Sequence, residues 1–208
     1  MSPKAPYGTS DKHWNSLSPE HQALYLKVRP MPNAAYTVDW LLSGLEKSLA
    51  SIQSSMEMAG GSFDLNPDFQ RGHVWTDAQR AAYVEALLRN MTTGRILFNC
   101  PGWTNNPDAG GDIPSNTFQC IDGLQRLTAV RKFLAGEISV FGGMVAEDLR
   151  GSPFDPFRMT YRLQIGVYEF STRAELLQFY LDLNVGGSAH EPQEIERVRG
   201  LLAQARCN

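Results

Sequence analysis

Residues 118–130, "FQCIDGLQRLTAV", place an acid, a glycine, an amide and a guanidinium between two apolar patterns. Phe118, Cys120 and Ile121 read as a strand entering a core, and Leu124, Leu127, Val130, Phe133 and Leu134 as the inner stripe of a helix. A strand that ends in Asp122-Gly123 and feeds a helix points unpaired backbone N–H groups past the turn, which is an anion-binding arrangement. Gly123 lets a ligand approach the backbone. Arg126 can fork onto a phosphate, and Asp122 can hold a divalent metal or accept a proton. The same residues also make an ordinary turn: Asp caps helices well, and Gln125 and Arg126 suit a solvated helix face. Spacing alone favours the ordinary turn.

A second amide–guanidinium pair, Gln70-Arg71, lies in "NPDFQRGHVWT", again just before a helix pattern. Pro67 sets a turn there, and Phe69, Val74 and Trp75 read as anchors. His73 stands nearby, a solvated loop residue or a candidate general base. A third stretch, "FYLDLNVGGSAHEPQEIERV", holds Asn184 and Gly186-Gly187, which either end one helix and start the next or form a further wall of a pocket. Two Gln-Arg pairs at helix entrances suggest convergence on one anion.

The elements that position these residues follow from periodicity and punctuation. Residues 1–17 are polar, with Pro3 and Pro6, and read as a loose arm. Ser18-Pro19-Glu20 opens a short helix that ends before Pro30. Thr37 reads as the cap of a longer helix carrying Leu41, Leu45, Leu49, Ile52 and Met56, closed by Gly60-Gly61. "SFDL" follows as a strand. Thr76 and Gln79 make a capping box for a helix over about 77–90. "RILFNC", "FQCI", "EISVFGG" and "YRLQIGVYEF" read as strands. Residues 101–116 form a long loop with three prolines and three glycines. Thr172 and Glu175 box a helix that runs to about Leu183, and Ser188 to Pro192 start a last one. The division is an arm with a short helix over 1–36 and a mixed α+β domain over 37–208, a small sheet surrounded by helices.

The chain has 208 residues, 42% hydrophobic and 20% charged, with a formal net charge of −3. That is a globular composition, and its acidic balance argues against a broad basic surface for nucleic acid. Three cysteines, Cys100, Cys120 and Cys207, lack Cys-x-x-Cys spacing, so a zinc site is not expected. No stretch reads as a leader or a membrane span, which leads to the expectation of a cytoplasmic protein that does not touch a membrane.

Taken in order, "PDFQRGHVWT", "CIDGLQRLTAVRKFL" and "FYLDLNVGGSAHEPQEIERV" resemble the N-terminal domain of GmrSD-type modification-dependent restriction enzymes, a domain similar to the ParB/sulfiredoxin-like superfamily. The resemblance runs from about Phe63 to Leu201. It implies a nucleotide-binding domain whose Asp-Gly-x-Gln-Arg segment lies at the site of NTP turnover. The matching positions are Gln70, Arg71, Asp122, Gly123, Gln125, Arg126, Asn184 and Gly187. The implied chemistry is phosphoryl transfer with an NTP, ATP first among them, and Mg²⁺. Arg71 and Arg126 would neutralise phosphate oxygens, Asp122 would hold the metal or activate the acceptor, and Gln70 and Gln125 would orient the reacting groups. DNA is the expected substrate or ligand, either through a hydroxyl on a modified base or through an NTPase coupled to it. Two other readings stay open: a metal-dependent ParB-like nuclease using Asp64, Asp68 and Asp122, and a non-catalytic, nucleotide-gated module with Arg80, Arg89, Arg197, Arg199 and Arg206 as a modest basic face. The chain departs from the family pattern at Leu124, where Gln is common, and at His73, where an aromatic is common. It ends at Asn208 with no His-Asn-His nuclease module following, so a stand-alone form is expected.

Overall fold

A computed structural model describes residues 5–6, 9–70, 72, 74–91, 94–104, 110–158, 161–185 and 192–207. Its centre is a five-stranded mixed sheet of β1 (Tyr36–Leu41), β2 (Ser62–Asp64), β3 (Arg95–Asn99), β4 (Thr117–Asp122) and β5 (Arg162–Tyr168), in the order β1-β5-β3-β4-β2. The pairs β1–β5 and β3–β4 are antiparallel, whereas β3–β5 and β2–β4 are parallel. The sheet is sandwiched between helices, so the expected α+β class with a small mixed sheet surrounded by helices holds.

The two faces are set by side-chain alternation along the strands. Ile96 and Phe98 of β3, Phe118 and Cys120 of β4, and Leu163, Ile165 and Val167 of β5 face one way. They pack against α3 (Leu45–Met58), α4 (Asp77–Leu88) and α5 (Leu124–Leu134). Leu97, Ile121 and Tyr168 face the other way and pack against α6 (Arg173–Val185) and α7 (Pro192–Ala205). Asn99 is fully buried on that second face, but its amide exchanges two hydrogen bonds with the backbone of Phe170, at 3.0 and 2.8 Å, so its burial leaves no polar atom stranded.

Local signals were obeyed where they were strong. Pro19 stands at the first position of α2 (Pro19–Val28), the Thr76–Gln79 capping box is complete, and Gly60 turns the chain after α3 with φ +70°. At Thr172 the hydroxyl accepts from the Glu175 N–H at 3.3 Å and opens α6.

Three expectations are corrected. Thr37 does not cap a helix; it pairs with Gly166 in β1. The alternation of Val38 and Trp40, both packed on the first-face core, outweighs the helical spacing, and α3 begins only at Leu45 after a short 3-10 turn. "EISVFGG" forms no strand beyond a single Val140–Met144 bridge, because Phe141, Gly142 and Gly143 take positive φ in succession and reverse the chain at once. The arm is not uniformly loose: α1 (Asp11–Ser16) is capped by Ser10 and buries Trp14. No described helix is long and apolar enough to cross a membrane.

Candidate functional site

β4 delivers Asp122 to the edge of the sheet, and the chain turns into α5 at Gly123, whose φ is +96°. That glycine is required by the fold. A Cβ there would lie 2.9 Å from the Ile96 Cα and 3.2 Å from the Arg95 carbonyl, so β3 passes too close for any side chain. The close approach expected from a ligand is therefore made by the neighbouring strand. α5 starts with no side-chain cap; the Leu124 N–H turns back to the Cys120 sulfur, and the N–H groups of Gln125 and Arg126 have no capping side chain.

The Arg126 guanidinium pairs with the Asp122 carboxylate one helical turn back, and its Nη1 also donates to the Arg95 carbonyl at 2.6 Å. Gly94 makes room for it: with φ +79°, it carries no Cβ where one would meet Nη1 at 2.5 Å. The side chains of Arg126 and Asp122 remain 22% and 40% exposed, so the ion pair opens onto solvent. Beneath the turn, Cys120 is fully buried and its thiol is pushed far up by burial, with the Asp122 carboxylate adding to the effect. It is an inert core thiol.

The two Gln-Arg segments meet and lock reciprocally. Gln70 donates through Nε2 to the carbonyls of Ile121 at 2.6 Å and Cys120 at 3.2 Å, reaching from the loop to β4. Gln125 reaches back from α5: it donates to the Gly72 carbonyl and accepts from the Trp75 N–H at 3.2 Å. Each amide holds the backbone of the other segment. Gln70, Trp75, Asp122, Gly123, Gln125, Arg126 and Tyr180 line one cleft of about 60 Å³. Asn184 sits one turn beyond Tyr180 on α6 and donates back to the Tyr180 carbonyl at 2.6 Å, supporting the wall rather than lining it. Arg71, His73 and Gly187 lie outside the described residues, as do residues 105–109 of the long loop and 188–191 ahead of the last helix.

Sequence reasoning missed the residues that clamp the Gln70 loop from the second face. Arg197 of α7 donates to the carbonyls of Asp68, Phe69 and Gln70 at 2.5, 3.0 and 3.3 Å while its guanidinium forks onto Glu194. Arg173 binds the Asp68 carboxylate at 2.6 Å, and Phe69 is fully buried edge-on against Tyr180, 5.3 Å between centroids. Gly94 and Tyr180 were missed as well. An i, i+3 Glu–Arg pair announces nothing beyond a solvated helix face, so only the tertiary structure assigns Arg197 its loop.

The same contacts bear on the competing readings. Asp64 accepts from the Asn66 N–H at 2.9 Å, Asp68 binds Arg173 and Asp122 binds Arg126, so the three carboxylates serve three different partners. Arg80, Arg89, Arg197 and Arg199 each face an acid three or four residues away, and Arg206 donates to the neutral Gln178, so four of the five charges are offset locally.

A family model covers most of the chain, including the two locked segments. The model of the GmrSD restriction endonuclease N-terminal domain covers residues 49–197. The chain belongs to that family. The match spans both Gln-Arg segments and α6, and it ends at Arg197, the residue that clamps the loop. It makes the chain a restriction-related protein. No curated protein and no solved structure matches it.

Proposed function

We propose that this GmrSD-type domain is an NTP-dependent phosphoryl-transfer enzyme acting in the context of DNA, with its reaction centre at the Asp122–Arg126 cleft. The observation that carries this reading is the reciprocal lock. Two polar segments 50 residues apart are joined through Gln70 and Gln125 around an uncapped helix start, an exposed carboxylate and a guanidinium. Phosphoryl transfer needs little covalent help from the protein and much positioning and charge neutralisation, which a locked polar site supplies.

The cleft is small against the roughly 300–1,000 Å³ of typical small-molecule pockets, so it suits a terminal phosphoryl group, with the rest of the nucleotide outside it. Arg126 and the first turn of α5 bind the phosphate oxygens. Asp122 fits a divalent cation: one of its oxygens is on Arg126, and a carboxylate offers about four acceptor sites in all. Mg²⁺ bound there supplies neutralisation of the charge on the phosphate oxygens. Gln70 and Gln125 hold the two walls in register, a positioning role. Arg71 is the second phosphate ligand of this proposal, Gly187 belongs to its nucleotide wall, Asn184 braces that wall through the Tyr180 carbonyl, and His73 is the candidate base. The acceptor is a hydroxyl on a modified DNA base or, in an NTPase cycle, water.

A second reading is favoured by one feature, the prior engagement of Arg126 with Asp122 and the Arg95 carbonyl. A cleft whose charges are already partnered also suits a nucleotide-gated module that binds DNA or a protein without turnover. Label transfer separates the two. The chain is incubated with Mg²⁺ and each γ-labelled NTP, without DNA, with plain DNA and with DNA carrying hydroxymethylated bases. Label on intact modified DNA establishes a kinase, and free phosphate establishes an NTPase. Nucleotide binding with no label released favours the gated module, and cut DNA without NTP use overturns both.

A further inference from the structure

A second opening lies toward the far end of the sheet. It is a groove of about 370 Å³ between β1 and α3, walled by Tyr36, Val38, Trp40 and Trp103 and rimmed by Lys47 and Ser48. Arg95 marks the cleft end of β3, whereas Tyr36 stands level with Phe98 across the sheet, through Val167. The separation along β3 is therefore on the order of 10 Å, and the two openings are distinct sites. The volume falls within the range of small-molecule pockets, unlike that of the cleft.

Three aromatic rings contribute to the walls. Tyr36 and Trp40 come from β1 and Trp103 from the segment after β3, with Tyr36 and Trp103 tilted at 43° and 5.8 Å apart. Each tryptophan is backed by a core ring: Trp103 rests on Phe118 at 5.7 Å and Trp40 on Phe98 at 5.9 Å. Phe98 and Phe118 are fully buried, so the tryptophans are held as platforms rather than free to collapse into the groove. Tyr36 remains 43% exposed, so this wall of the groove is accessible from solvent. The polar rim carries one sign, the exposed Lys47 ammonium, beside the Ser48 hydroxyl. Flat aromatic walls with a cation at the edge complement a planar ring joined to an anion.

We propose that this groove binds a nucleobase, stacked on Trp40 and Trp103, with its phosphate at Lys47. The proposal rests on the DNA-directed reading above and adds a place for the base. Stacking of this kind tolerates any base, because every base presents a π face. An unpaired base in single-stranded DNA and a free nucleotide present the same chemistry, and the test distinguishes them.

The probe is a short single-stranded oligonucleotide containing 2-aminopurine, whose fluorescence falls when the base stacks. An abasic control and free 2-aminopurine nucleoside monophosphate are run in parallel. The proposal expects quenching by the wild-type protein and at least tenfold weaker binding of the abasic strand. Ser48→Phe fills the groove without removing a wall, so binding should fall at least tenfold with the thermal midpoint kept. Lys47→Ala should weaken binding several-fold and reduce the slope of log K against log salt by about one phosphate contact. Quenching of the oligonucleotide alone assigns the groove to DNA, and quenching of the monophosphate as well assigns it to nucleotides in general. Equal binding of the abasic strand, or wild-type binding by both variants, overturns the proposal. NTP turnover without DNA, measured on the same samples, reads the cleft separately, so a silent cleft is not mistaken for an empty groove.

Discussion

At the cleft, polar side chains face one another around about 60 Å³, and Gln70, Gln125, Asp122 and Arg126 are all bonded to protein. At the groove, three aromatic rings line about 370 Å³, and the two tryptophans among them rest on buried phenylalanines. The difference separates two ways of building a site. The cleft uses its functional residues to hold two chain segments together, so its chemistry and its stability are coupled. The groove borrows rigidity from the core beneath it, so its rim residues are free of structural duty. Substitutions at the cleft should therefore move folding and activity together, and those at the groove rim should move binding alone.

The largest effect is expected at Gly123, where that coupling is tightest. Gly123→Ala combines a left-handed backbone with a Cβ pressed on the β3 backbone, and together these should cost about 3 kcal/mol. Urea unfolding should show a lower midpoint with an unchanged slope. A midpoint equal to wild type would mean that β3 yields easily and that the coupling is weaker than drawn.

Gln125→Ala sharpens the comparison at the next level down. It removes the two bonds that hold the Gly72 carbonyl and the Trp75 N–H, for roughly 2 kcal/mol. Turnover should fall together with faster limited proteolysis in the Gln70–Trp75 loop, while 2-aminopurine quenching at the groove persists. Lost turnover with an unchanged digestion pattern would instead give Gln125 a direct role with the substrate.

The effect least tied to either opening comes from the buried thiols, and it appears only at alkaline pH. Burial pushes the Cys100 thiol up to about 11, and the Cys120 thiol is shifted in the same direction. Folding keeps these protons on while the unfolded chain releases them from about pH 9 upward. This contribution to stability is thus fully present below pH 9 and is lost as pH rises toward 11. The urea midpoint should decline over that window, and Cys100→Ala should flatten the decline.

The legible parts of the sequence were those where local chemistry and tertiary structure agree. The Thr76–Gln79 box, Pro19 and the alternating strands β3, β4 and β5 all form as read. β1 was misread because Leu41, Leu45 and Leu49 keep helical spacing, whereas pairing with β5 decides the fate of Thr37 to Leu41. At the site, the convergence of Gln70 with the Asp122–Arg126 turn was legible as a pattern of residue types. The destination of each amide was not, since a glutamine that orients a phosphate and one that grips a backbone look alike in one dimension. The clamping role of Arg197, read only as part of a basic face, and the clearance at Gly94 were illegible for a related reason: their partners lie 128 residues and 32 residues away in the chain.

The central claim is that the Asp122–Arg126 cleft turns over a nucleoside triphosphate, and the most direct test compares wild type with Arg126→Ala. Phosphate release and γ-label transfer are measured for each NTP with Mg²⁺, with and without DNA, at a temperature where circular dichroism shows both proteins folded. Loss of one pre-positioned charge at a reaction centre typically costs 10²–10³ in turnover, so the variant should fall by about that factor while base quenching at the groove is unchanged. A folded Arg126→Ala protein with full turnover, or a wild-type protein that turns over no NTP under any of these conditions, would contradict the account.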